Sequence, residues 1–229
     1  MSSIDILQAS RIPPFLTEGL RARYNVHPRE SASPEVLARV RAIVGGGEAR
    51  IDAALMDQCP KLEVITICGV GYDGVDVQAA KARGVPVTHT PDVLNDDVAD
   101  MAIGLMLSIS RKMPQADRFV RNNDWVDGPY PLTKKMTGAR LGLVGMGRIG
   151  QGIARRAAHG FGMQVLYHNR SRLAPELEVQ CKARYVDKAT LLREADHVVL
   201  VVPYSAASHH SIGAHELGLM KRSEEHTSE

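Results

Sequence analysis

Short runs of aliphatic and β-branched residues alternate with amphipathic segments along almost the whole chain. Ile4–Leu7, Val40–Val44, Leu62–Cys68, Val85–Thr88, Leu141–Gly145, Gln164–His168, Ala183–Val186 and His197–Val202 have the length and composition of buried strands. Gly45-Gly46-Gly47 reads as the turn that follows the second of these runs. Helical spacing is found over Arg11–Arg23, Ile51–Cys59, Asp76–Arg83, Arg148–Gly160, Lys188–Glu194 and Ala214–Lys221. Pro13 and Pro14 suit the start of the first helix, where a missing N–H is tolerated, and Gly84 closes the third. A longer helix is predicted from Asn95 or Asp96, either of which can cap it, to about Lys112. Its Ala99, Ile103, Leu105, Met106 and Ile109 predict a largely buried element. Gln115–Tyr130 carries the only Trp, Trp125, and reads as a helix tail followed by an extended arm. Strands that alternate with helices in this way predict an α/β protein with parallel strands, right-handed crossovers and helices on both sheet faces.

Composition narrows the class of function. Lys and Arg total 28 against 26 Asp and Glu, a balance too even to make nucleic acid or an acidic lipid surface the expected partner. The most apolar stretches, Met101–Ile109 and Val198–Val202, are far too short for a membrane span, and MSSIDILQAS has no secretory pattern. Three cysteines, Cys59, Cys68 and Cys181, form no CxxC, so a disulfide framework is not expected and a reducing cytoplasm is. Arg222–Glu229 (RSEEHTSE) is polar, aperiodic and similar to a translated sequencing adapter. The expectation is that Lys221 ends the genuine sequence and that the full protein continues beyond it.

The clearest chemistry lies in LGLVGMGRIGQGIARR, where Gly145, Gly147 and Gly150 form GxGxxG directly after a strand and at the opening of a helix. In that context Gly145 permits the tight turn, Gly147 lets backbone approach a pyrophosphate, and Gly150 lets helix and strand pack closely. The N–H groups of the helix start face the phosphates. The next strand ends in His168-Asn169-Arg170-Ser171-Arg172. An NAD site usually places Asp or Glu there to hold the ribose hydroxyls. Asn169 is neutral, Arg170 and Arg172 can neutralise a 2′-phosphate, and Ser171 can donate to one, so NADP(H) is preferred, with NAD(H) the alternative. This reading expects a cationic rim without an acidic side chain. Other constellations have plainer explanations. His209, His210 and His215 lack a completing ligand, so no metal is expected. Asp96, Asp97 and Asp100 are expected as helix caps and dipole partners, and His89 as either structural or peripheral to a substrate site.

With these residues in view, the chain resembles the D-isomer-specific 2-hydroxyacid dehydrogenase family, with most likeness to its glyoxylate/hydroxypyruvate (and 2-ketogluconate) reductase branch. The resemblance is carried in order by CGVGYDGVD (Cys68–Asp76), TPDVLNDDVADMAIGLML (Thr90–Leu107), GPYPLTKKMTGARLGLVGMGRIGQGIARR (Gly128–Arg156), YHNRSRL (Tyr167–Leu173) and VVPYSAASHH (Val201–His210). It implies a flavodoxin-like substrate domain over residues 1–98 and a Rossmann dinucleotide-binding domain over residues 99–221, incomplete at its C-terminal end, with the active site in a cleft between them. It further implies that the amides of Val70 and Gly71 hold a substrate carboxylate and that Gly147, Arg148 and Ile149 form the pyrophosphate loop. Asn169 to Arg172 then meet the adenosine phosphate, and Val202, Pro203 and Ser208 lie along the cofactor. The implied activity is NADPH-dependent reduction of small 2-keto acids to D-2-hydroxy acids, by a homodimer when full-length. The family's catalytic Arg, Glu and His belong to segments after Lys221, so the 229-residue chain is expected to show no turnover. It would also end on the fourth Rossmann strand as an unprotected apolar edge, so poor solubility is expected. An NAD-dependent oxidising relative of the phosphoglycerate or formate dehydrogenase type stays open, as does a non-catalytic dinucleotide-sensing protein of the corepressor type.

Overall fold

A computed structural model describes residues 4–222; the predicted tail from Ser223 onward lies outside them. The chain divides between Val93 and Leu94 into two compact units. That division lies at the entrance to the long helix rather than at the expected 98/99 junction inside it.

The first unit runs β1 (Asp5–Gln8), α1 (Pro14–Arg21), β2 (Asn25–Pro28), α2 (Pro34–Leu37), β3 (Ala42–Gly46), α3 (Ala53–Asp57), β4 (Val64–Cys68), α4 (Val77–Ala82) and β5 (Val87–His89). All strand pairs are parallel, in the order β2-β1-β3-β4-β5. This is the flavodoxin-like doubly wound order. Leu7, Ile43 and Ile65 stand in the three central strands and are fully buried. Three helices start where the sequence supplies a short polar side chain. Ser33 accepts from the Val36 N–H, Asp52 from that of Leu55 and Asp76 from that of Ala79. Two elements carry too little pattern to be read in advance. β2 is a four-residue edge strand ending in a proline, which an edge tolerates, and α2 is a single turn. The expected glycine turn is corrected: Gly45 and Gly46 continue β3. A Cβ on Gly45 would stand 2.5 Å from that of Ala49, so the strand needs glycine to pass beneath the returning chain.

The second unit opens with α5 (Asn95–Ser110) and α6 (Met113–Arg121), followed by a 3-10 turn at Asp124–Val126 that carries Trp125. It continues through β6 (Arg140–Val144), α7 (Arg148–Arg155, prolonged by a π-helical turn to Gly160), β7 (Gln164–His168), α8 (Pro175–Cys181), β8 (Ala183–Tyr185), α9 (Lys188–Glu194), β9 (His197–Leu200) and α10 (Ala214–Leu219). The parallel order β8-β7-β6-β9 is that of a Rossmann half-sheet, with its switch point between β6 and β9. One core joins Leu141, Leu143, Ile153 and Tyr167 to Ala99, Ile103 and Met106 of α5. A smaller one joins Val144 and Leu166 to Leu191 and Leu192 of α9. Among the described residues no helix is long and apolar enough to cross a membrane.

Three expectations change here. Neither Asn95 nor Asp96 caps α5, because the N-cap position is Leu94. Instead Asp96 and Asp100 accept from the Arg156 guanidinium at 2.9 and 2.6 Å. The helix is also buried on one stripe only, since Leu105 is 56% and Ile109 74% exposed. And α8, absent from the sequence reading, fills the crossover from β7 to β8.

Candidate functional site

The β6–α7 junction has the backbone that a phosphate loop requires. Gly145 stands at φ +101°, and a Cβ there would lie 2.4 Å from the Val201 carbonyl oxygen. A Cβ on Gly150 would lie 2.4 Å from the Gly145 carbonyl oxygen, so β6 and α7 approach closely only through a glycine. Gly147 differs: a Cβ there would meet nothing within 4 Å, leaving open space above the helix start. The N–H groups of Gly147 and Ile149 meet no acceptor among the described residues, as at any helix entrance before an anion arrives. Arg148 is exposed at the same end. An open cradle of first-turn N–H groups suits the pyrophosphate of a dinucleotide in shape and in charge.

The loop after β7 lies beside this junction because the Gly145 N–H donates to the His168 carbonyl at 2.9 Å. Asn169 is half-buried and its carbonyl accepts from the Tyr185 hydroxyl. Arg170 and Ser171 are exposed, and Arg170 has no ion-pair partner among the described residues. Arg172 is held differently. Its Nε and Nη2 donate to Glu178 Oε1 and Oε2 at 2.8 and 2.7 Å, a bidentate pair. The Tyr167 hydroxyl donates to Glu178 Oε1 at 2.6 Å and accepts from the Leu173 N–H at 2.9 Å. The hydrogen bonds from Arg172 and Tyr167 hold the Glu178 carboxyl down at about 2. Burial, and then the carboxylate beside it, push the Tyr167 hydroxyl up. The expected rim without an acidic side chain is therefore corrected: Glu178, on a helix the sequence reading did not see, stands against one of its two arginines. The missed signal was local, with Pro175 at a helix start and Glu176 and Glu178 in the first turn.

Beyond β9, Val202 and Pro203 continue the strand that borders Gly145. The Ser208 hydroxyl donates to the Pro203 carbonyl at 2.8 Å and accepts from the Ser205 N–H at 2.7 Å, so it shapes its own loop. Among the described residues no group of three or more side chains could hold a metal ion. His209 and His210 stack on each other with ring centroids 3.7 Å apart.

In the first unit the loop Gly69–Gly74 follows β4. The Gly74 carbonyl accepts from the Ile51 N–H at 2.8 Å, and the Gly69 carbonyl accepts from the Thr90 N–H at 3.0 Å. His89 Nδ1 lies 3.0 Å from the Val70 carbonyl oxygen, and its ring meets Tyr72 edge-on. That contact assigns the ring a proton on Nδ1 and fixes the plane of the Val70–Gly71 peptide. In a trans peptide the Gly71 N–H then points away from His89. The N–H groups of Val70 and Gly71 have no acceptor among the described residues, an arrangement that suits a carboxylate. His89 was expected as either structural or peripheral to substrate; its hydrogen bond to the loop carbonyl is a detail that the sequence does not display.

The family pattern described as D-isomer specific 2-hydroxyacid dehydrogenase, NAD binding domain, matches residues 103–224. A glyoxylate reductase of Thermococcus litoralis is 43% identical over 193 residues, covering 82% of this chain and 58% of that protein. A glyoxylate/hydroxypyruvate reductase B of Klebsiella pneumoniae is 38% identical over 221 residues, covering 93% of this chain and 68% of that protein. Among solved structures, the NADPH-dependent glyoxylate/hydroxypyruvate reductase of Sinorhizobium meliloti, in complex with NADP and malonate, superposes with a TM-score of 0.82 at 36% identity. The match covers 95% of this chain and 68% of that one. The chain thus spans about two thirds, or somewhat less, of the length of these relatives. With its glycine loop, its two parallel sheets and these matches taken together, the chain belongs to the D-isomer specific 2-hydroxyacid dehydrogenase family.

Proposed function

We propose that this chain carries the substrate-carboxylate loop and the dinucleotide site of an NADPH-dependent reductase of small 2-keto acids, with glyoxylate, hydroxypyruvate and 2-ketogluconate as the candidates. The observation that carries the reading is the end of β7. Asn169 stands where an NAD site usually has a carboxylate, and an unpaired Arg170 follows it beside the glycine loop. The names of the relatives, and the NADP in one of their structures, point the same way.

In this reading the amides of Gly147, Arg148 and Ile149 hold the pyrophosphate, and Gly145 and Gly150 shape that loop. Asn169, Arg170, Ser171 and Arg172 face the adenosine phosphate, while Val202, Pro203 and Ser208 border the nicotinamide end. Val70 and Gly71 orient the substrate through its carboxylate. The reduced cofactor, when bound, supplies a hydride to the keto carbon. The chain's own contribution is to fix orientation and charge around that transfer.

A homodimer belongs to the same proposal. Met101, Leu105 and Ile109 on α5, with Met113 and Val120 on α6 and Trp125, expose an apolar area of the kind that a second copy covers. Free cysteines at Cys59, Cys68 and Cys181 suit a reducing cytoplasm.

Calorimetric titration of this chain with NADP+ and NAD+ tests the cofactor reading. NADP+ is expected to bind at least about tenfold more tightly at low salt, because a charge-assisted contact is worth roughly 1.5–3 kcal/mol. The advantage is expected to shrink as salt screens the exposed arginine and to fall sharply in Arg170→Leu. Equal affinities, or a preference for NAD+, would overturn it.

A further inference from the structure

The cation that the sequence offers to a phosphate is not the cation the structure leaves available. Arg170 is exposed and unpaired among the described residues, whereas Arg172, two positions on, is bound edge-on by Glu178 through two hydrogen bonds of 2.8 and 2.7 Å. An exposed ion pair is ordinarily loose. This one is not, because its carboxylate is fixed from behind. The Glu178 side chain is only 11% exposed and accepts from Tyr167, whose ring is fully buried and whose hydroxyl is itself anchored by the Leu173 N–H.

We propose that Glu178 is a specificity-setting residue that moderates the preference for a phosphorylated dinucleotide by holding the Arg172 guanidinium as its own partner. The proposal rests on the reading that the Asn169–Arg172 loop receives the adenosine phosphate. A guanidinium and a carboxylate in contact act on a third charge as a dipole, whose field decays faster with distance than that of a single charge. The loop therefore presents one full positive charge, on Arg170, and a discounted one on Arg172. A doubly charged phosphate feels that discount, and an unphosphorylated ribose hardly does. The carboxylate that a typical NAD site carries at the strand end is here displaced onto the following helix. From there it tempers selectivity without reaching the ribose hydroxyls. The position acts through Arg172 and touches no reacting atom.

Glu178→Gln removes the charge while keeping an oxygen that can accept from Tyr167. In this chain NADP+ affinity is expected to rise about two- to fivefold, in line with the worth of one charge contact at the protein surface, while NAD+ affinity stays within about twofold. A second comparison is made in the wild-type background, so it survives poor folding of that variant. Arg172→Leu is expected to weaken NADP+ binding clearly less than Arg170→Leu does. Combining the two positions, Arg172→Leu is expected to cost more affinity when residue 178 is Gln than when it is Glu. NADP+ binding that is unchanged or weaker in Glu178→Gln, or an Arg172→Leu loss that matches the Arg170→Leu loss, would overturn the proposal while leaving the phosphate reading intact. A wild-type chain with no preference for NADP+ would instead remove the phosphate reading on which the proposal stands.

Discussion

Three glycines of one motif meet three different surroundings, and their substitutions should separate accordingly. A Cβ at Gly150 collides with the Gly145 carbonyl, and one at Gly145 collides with the Val201 carbonyl at a positive φ. Alanine at either position is expected to cost about 1–3 kcal/mol of stability, as a strained backbone with a close contact does. Gly147 is open on its outer side, so Gly147→Ala should fold with an unchanged melting temperature and lose only dinucleotide affinity, by roughly tenfold. Thermal melts paired with NADP+ titrations check both halves of that contrast. Loss of stability without loss of binding in Gly147→Ala would assign the loop a purely structural role. At this scale the sequence was most legible where chemistry is local: the glycine spacing, and Asn169 to Arg172 at the strand end. It was silent on Glu178 and on the His89–Val70 contact, because each depends on a partner brought in by another element.

At the scale of elements, α5 shows how far apolar spacing carries. Its Ala99, Ile103, Leu105, Met106 and Ile109 read as a largely buried element. Within the second unit it buries Ala99, Ile103 and Met106 and leaves Leu105 and Ile109 in solvent. Met106→Ala should then cost about 2–5 kcal/mol through the cavity it leaves. Ile109→Ala should stay within about 0.5 kcal/mol in chemical denaturation of the monomer. Removal of the Arg156 guanidinium should cost no more than about 1 kcal/mol, since its partners Asp96 and Asp100 are largely exposed. Leu105→Asp should shift a dimer towards monomer in sedimentation experiments; an unchanged sedimentation coefficient would place any self-association elsewhere. Elements with strong periodicity, such as Gln164–His168 and Lys188–Glu194, were read to the residue. The four-residue β2 and α2 were missed because so short a segment offers no period. α8 was missed because its polar first turn resembles a loop.

Alternation predicts parallel strands joined by right-handed crossovers in both units, and the family resemblance adds their flavodoxin-like and Rossmann strand orders, so the architecture of each unit was legible without any knowledge of its side-chain contacts. Its titration behaviour was not, because that depends on tertiary partners. The Arg172 and Tyr167 bonds hold Glu178 at about 2, and the Lys188 ammonium with the Gly213 N–H does the same for Glu216, against an ordinary value of 4.5. A carboxylate lowered on folding stabilises fully above its unfolded value, and that contribution is lost as pH falls towards the folded one. Burial also lowers His197 below its ordinary 6.5, so the unfolded chain takes up a proton there before the folded one does. The melting temperature is thus expected to begin falling below about pH 6.5 and to fall more steeply between about 4.5 and 2. Glu178→Gln and Glu216→Gln should flatten only the lower window. A melting temperature constant down to pH 3 would contradict these assignments.

The most direct test of the central claim is diffraction from crystals of this chain grown with NADP+. The pyrophosphate is expected against the Gly147–Ile149 amides, with the 2′-phosphate in hydrogen-bond contact with Arg170 and Ser171 while Glu178 still grips Arg172. A dinucleotide bound away from the glycine loop, or a 2′-phosphate directed away from Arg170, would contradict the account.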